Sequence, residues 1–143
     1  MTPRFVFVAV RGVIMPFDKG NNDKLFSDNY YEGQFENKQP VNKVIDYIFE
    51  TYDPSLVYPI IQVPDDNVAS EINNWLNKYF NVDINRRAIL GYNTDKIDFL
   101  CNFSNQFTIP FSDMIFISSE SKELRQAERL GCEVHHVSEI YVK

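Results

Sequence analysis

Residues 5–14 read Phe5-Val6-Phe7-Val8-Ala9-Val10-Arg11-Gly12-Val13-Ile14. A near-continuous apolar run rich in Val suits a strand whose sheet is covered on both faces, because no alternate position then has to meet water. The run predicts a central parallel strand over residues 4–14. Further apolar runs over 56–63, 87–92 and 114–118 predict three more strands, and Val134 to Val137 a short last one. Between them the apolar residues change to helical spacing. Val41, Val44, Ile45, Ile48, Phe49 and Tyr52 form one stripe, which Asp53-Pro54 ends. Val68, Ile72, Trp75, Leu76, Tyr79 and Phe80 form a second, behind Pro64, Asp65 and Asp66. Ile97, Leu100 and Cys101 follow Thr94 as a cap, and Leu124, Ala127 and Leu130 run to a stop at Gly131. Repeated strand-helix alternation predicts a single three-layer α/β/α Rossmann-like domain over 1–143 with a mainly parallel sheet. The polar stretch 15–40, with Gly20, Asn21, Asn22 and Gly33, reads as a loop or flap insertion after the first strand.

Composition narrows the function classes. The formal net charge of −6 disfavours a nucleic-acid partner, since an acidic domain repels phosphate backbones. No apolar run is long enough to span a bilayer. Met1 to Val10 carries Arg4 and no small-residue cleavage site, so it reads as a strand rather than a signal peptide. Cys101 and Cys132 fit no metal or redox spacing and read as reduced thiols, consistent with a cytoplasmic or intracellular setting. Twelve Phe, eight Tyr and one Trp make the chain rich in side chains that interfaces favour, a hint of a protein partner.

The order of these pieces resembles the haloacid-dehalogenase-like superfamily. Gly12, Val13 and Ile14 match the end of that family's first motif, Asp-x-Asp-Gly-(Thr/Val), after the first strand. The two aspartates are replaced: Ala9 stands at the nucleophile position and Arg11 at the acid/base position. In Ile60-Ile61-Gln62-Val63-Pro64, Gln62 stands where the second motif has a Ser or Thr. Lys96, within Thr94-Asp95-Lys96-Ile97-Asp98, matches the third-motif lysine. The fourth motif is an acidic pair after a strand, and here Met114 to Ile117 leads into Ser118-Ser119-Glu120-Ser121. The continuation to Ala127 and Gly131 follows the family pattern, but Ser118 and Ser119 stand in place of the acids.

The resemblance implies a reaction in which an aspartate attacks phosphorus and a Mg²⁺ ion is held by carboxylates. Ala9 has no nucleophile, Ser118 and Ser119 are poor metal ligands, and Arg11 cannot act as a general acid at neutral pH. Nucleophile, acid/base and metal ligand are lost together. The expectation is therefore a non-catalytic, cofactor-free and metal-free relative serving as a protein-interaction or structural module, for instance within a larger assembly such as a phage particle. Two alternatives belong to other classes. One is a phosphate-ester hydrolase with a non-standard site, using Asp65 or Asp66 for metal. The other is a binder of a phosphorylated small molecule between Arg11 and Lys96. Against them, Arg11 pairing with Asp65 or Asp66 is favoured over an anion site, and Asp65 and Asp66 suit a helix cap and first-turn acid. His135 and His136 point to opposite faces if on a strand and are not expected to share an ion. Tyr30, Tyr31 and Phe35 are expected above the crevice, as a cover or a partner-binding patch.

Overall fold

Val6 and Val8 pack into one apolar cluster and Phe7 into another, so the first strand is buried on both faces, as its apolar run requires. The computed structural model describes residues 4–16 and 38–141. Its strands are β1 (Phe5–Ala9), β2 (Val57–Gln62), β3 (Ala88–Leu90), β4 (Met114–Ser118) and β5 (Glu133–His136). They form one sheet in the order β3-β2-β1-β4-β5, with every pairing parallel. The helices are α1 (Asn42–Thr51), α2 (Asp66–Tyr79), α3 (Lys96–Phe107), α4 (Ser121–Leu130) and a single turn α5 (Ser138–Tyr141).

Alternation along the strands assigns the helices to two layers. Val57 and Ile61 of β2, with Ile115 and Ile117 of β4, pack with the buried stripes of α1, α2 and α5. Ile60, Met114 and Phe116 face the other way, onto Leu100 and Phe103 of α3 and Leu124 and Ala127 of α4. The domain is thus the expected three-layer, Rossmann-like α/β fold. The strand order turns back between β1 and β4, which is where open sheets of this kind leave a crevice beyond their carboxyl ends.

Several boundaries differ from the sequence reading. The first strand stops at Ala9 instead of running to Ile14. The Val10 carbonyl accepts from the amides of Val13, Ile14 and Met15, and Gly12 takes φ +85°, so the chain coils into a tight turn. Val13, Ile14 and Met15 are fully buried in it. An apolar run records burial, and a buried turn satisfies it as well as a strand does. The third strand is shorter than 87–92, because a turn in which Thr94 N donates to Gly91 O takes the chain off the sheet. The cap of α3 is Asp95 and not Thr94: its carboxylate accepts from Ile97 N at 2.6 Å. The last strand lies one residue earlier than 134–137. Gly131 ends α4 at φ +112° as expected. Of the loop or flap expected over 15–40, residues 17–37 lie outside the described residues, and with them Tyr30, Tyr31 and Phe35.

Candidate functional site

Three adjacent parallel strands, β2, β1 and β4, end in Gln62, Ala9 and Ser118, so these residues stand together at the carboxyl edge of the sheet. Val8 pairs with Ile117, which brings the end of β1 level with the end of β4, while Ala9 pairs with Ile60 and β2 runs two residues further to Gln62. The side chain at the central position is a methyl group, 1% exposed. Gln62 donates through Nε2 to the Tyr92 carbonyl at 3.3 Å and so ties the β3 exit loop to the crevice.

Lys96 and Glu123 meet over Ser118. Lys96 opens α3 and Glu123 lies in the first turn of α4, and both helices cover the same face of the sheet. Lys96 Nζ donates to Glu123 Oε1 at 3.3 Å, with the two side chains only 10% and 17% exposed. Ser118 Oγ donates to the same carboxylate oxygen at 3.3 Å and accepts from Glu120 N at 3.0 Å. Burial pushes the Glu123 carboxyl above the usual carboxylate range, while the Lys96 ammonium pulls it back down. This carboxylate was not among the sequence candidates. The fourth-motif expectation looked for acids directly after β4, whereas the acid that reaches the crevice comes five residues after Ser118.

The remaining candidates divide clearly. Asp65 is the N-cap of α2, accepting from Val68 N at 2.9 Å, and Asp66 lies in that helix's first turn. Ser119 offers its carbonyl to His136 Nε2 at 3.1 Å. The two histidines turn to separate partners: His136 Nδ1 meets Ser138 Oγ, and His135 lies between Glu133 and Glu139. Among the described residues, no group of three or more His, Cys, Asp or Glu side chains is placed to hold a metal ion. Cys101 and Cys132 are free thiols, and burial pushes that of Cys132 up to about 11, away from reactivity.

Arg11 follows the end of β1 and is 7% exposed, held in the turn where it forms a bridge with Met15. A cation so enclosed stabilises only through its stem packing and the polar contacts of its head. Arg11→Ala should therefore lower stability by about 1–3 kcal/mol, measured by urea unfolding. A change below about 0.5 kcal/mol, the size usual for an ordinary surface substitution, would contradict its burial. No helix of the described chain is long and apolar enough to cross a membrane. Compared with protein-family models and with curated proteins, the chain matches none.

Proposed function

We propose that this domain is a non-catalytic relative of the haloacid-dehalogenase-like enzymes and works as a protein-binding or structural module inside the cell or in a larger assembly such as a phage particle. The observation that carries the reading is Ala9. At the end of the central strand, beside the switch in strand order, where an open α/β sheet presents its ligand-facing group, the chain has a buried methyl. The Glu123 carboxylate, which lies over Ser118 at the same sheet edge, is already engaged by Lys96 and Ser118. A lysine bound to a carboxylate has its charge offset, so an anion site built on Lys96 would have to break that pair. Asp65 is likewise engaged in capping α2. Arg11 stands at the position where the resemblance implies an acid/base carboxylate, so the chain carries a cation there in place of an acid.

The test is direct. The full chain is incubated with p-nitrophenyl phosphate and common phosphate monoesters in millimolar Mg²⁺, and its melting temperature is recorded with and without Mg²⁺ at equal ionic strength. Turnover should not exceed background. The melting temperature should not move, since a ligand that binds only the folded state stabilises it through mass action and one that does not bind leaves it unchanged. Hydrolysis that disappears in Glu123→Gln or Asp66→Asn, or a Mg²⁺-specific rise in melting temperature, overturns the reading in favour of a hydrolase.

A further inference from the structure

The amino end of the sheet carries a second concave feature, remote from the crevice. Because α3 runs back along the sheet, its start at Lys96 lies over the carboxyl edge and its end at Phe107 over the opposite edge. There Tyr58, Phe99, Phe103 and Phe107 wall a cavity of about 170 Å³, and Arg86 and Arg87 close its rim. The rings are in mutual contact, with Phe103 centred 5.3 Å from Tyr58 and 4.8 Å from Phe107.

Three observations set this pocket apart from ordinary packing defects. First, its charge is opposite to that of the chain. The protein has 20 acidic residues against 14 Lys and Arg, yet among the described residues lining the pocket two are arginines and none is acidic. Second, neither arginine has an ion-pair partner among the described residues. Arg87 is held by neutral acceptors, the Val82 carbonyl and the Asn73 and Asn81 amide oxygens. Arg86 donates through Nη2 to the Pro54 carbonyl at 3.3 Å, while its buried Nε has no hydrogen-bond partner. Asp53 is near enough to feel the Arg86 charge, but its carboxylate is bonded to Ser55. Third, among the described residues two of the four most exposed large apolar side chains flank the site: Phe107 at 54% on its wall and Ile84 at 66% in the turn that carries Arg86.

We propose that this pocket docks a partner-protein segment in which an aromatic side chain lies next to carboxylates, the ring entering against Phe103 and Phe107 and a carboxylate meeting Arg86. The dimensions favour a segment over a free small molecule. The volume is below the roughly 300–1,000 Å³ of small-molecule sites and suits a single side chain. The exposed Ile84 and Phe107 extend apolar surface beyond the rim, where the residues flanking an inserted ring would lie. The guanidinium supplies the planar, forked donors that recognise a carboxylate, and an aromatic anchor beside an Arg is the usual composition of an interface hot spot. This inference rests on the reading of the domain as a protein-binding module and names the surface and the partner chemistry. It concerns the opposite end of the sheet from the crevice, so the phosphatase assay and the test below can fail separately.

The probe is the peptide acetyl-Asp-Glu-Phe-Glu-Asp-amide, titrated into ¹⁵N-labelled full-length protein. Acetyl-Asn-Gln-Phe-Gln-Asn-amide and acetyl-Asp-Glu-Ala-Glu-Asp-amide serve as the uncharged and ringless controls. Amide shifts should cluster at 84–88 and 99–107 with the acidic aromatic peptide. Both controls should bind about tenfold more weakly, the factor expected for loss of one charge-assisted hydrogen bond or one buried ring. Arg86→Gln should weaken binding by about the same factor. Phe107→Ala, at an exposed position that leaves the fold intact, should do so as well. Absence of shifts at several millimolar peptide overturns the proposal. So do equal binding of the uncharged peptide, shifts confined to the carboxyl edge, or a concentration-dependent molecular mass showing that a second copy of the chain occupies the pocket.

Discussion

Phe103→Ala should lower the unfolding free energy by about 3–5 kcal/mol, the range for deleting a buried aromatic side chain whose surroundings cannot collapse into the space. Phe103 is 6% exposed and, among the described residues, lies within ring-contact distance of five other rings: Phe5, Phe7, Tyr58, Phe99 and Phe107. These rings come from β1, β2 and α3, so the residue fastens α3 to the middle of the sheet. Truncation leaves a void bounded by β-strands, which cannot move inward without losing their register. Phe107→Ala removes one end of the same cluster, but Phe107 is 54% exposed, and its loss should cost about 1 kcal/mol or less. Urea unfolding of both variants measures the contrast. Equal losses would mean that the outer ring bears as much of the packing as the inner one, which its exposure argues against.

The residues that made the fold legible are those whose burial has only one simple explanation. Val6, Phe7 and Val8 in unbroken sequence imply a strand covered on both faces, and they pack into two clusters on opposite sides of the sheet. Gly131 after Leu130 implies a left-handed helix end, and it has one. The reading overreached where two structures satisfy one pattern. Val10 to Ile14 are as apolar as a strand because the turn they form is also buried, and the local sign against a strand was Gly12, which takes positive φ.

The crevice was only half legible. Ala9, Gln62 and Ser118 could be placed, because strand ends in a parallel sheet converge wherever the strands are neighbours. The pairing of Lys96 with Glu123 joins helices that the sequence does not set side by side, since α3 and α4 meet only because both cover the same face. A signal was nevertheless present. Lys96 stands four and seven residues before Leu100 and Phe103, on the buried stripe of α3, and Glu123 stands four residues before Ala127 on that of α4. A charged residue in line with an apolar stripe points at the core side of its helix and calls for a partner there.

That pair underlies the last prediction. Lys96→Met keeps the length of the side chain and removes its charge, so the cost is that of leaving the Glu123 carboxylate enclosed without a cation. Breaking a fully buried pair costs about 3–5 kcal/mol. Both side chains keep some contact with solvent, and about 2–3 kcal/mol is expected at neutral pH. Because the loss comes from an isolated charge, Lys96→Met/Glu123→Gln should recover most of it, giving a coupling energy of about 1.5 kcal/mol or more in a double-mutant cycle. The pH dependence carries the same signature. Burial already raises the Glu123 carboxyl, and removing Lys96 takes away the largest opposing influence. A carboxyl raised in the folded state binds its proton more tightly there than in the unfolded chain. Folding is therefore favoured below the ordinary carboxyl value, and that advantage is lost as pH climbs through the raised one. The difference in stability between wild type and Lys96→Met should be small at about pH 4, where Glu123 is largely protonated in the variant, and full-sized at pH 7. Additive losses in the cycle, with a pH-independent gap between wild type and Lys96→Met, would mean that Glu123 is solvated rather than locked to Lys96. That would leave a carboxylate at the carboxyl edge of the sheet available for chemistry, and it would weaken the case for a silent crevice.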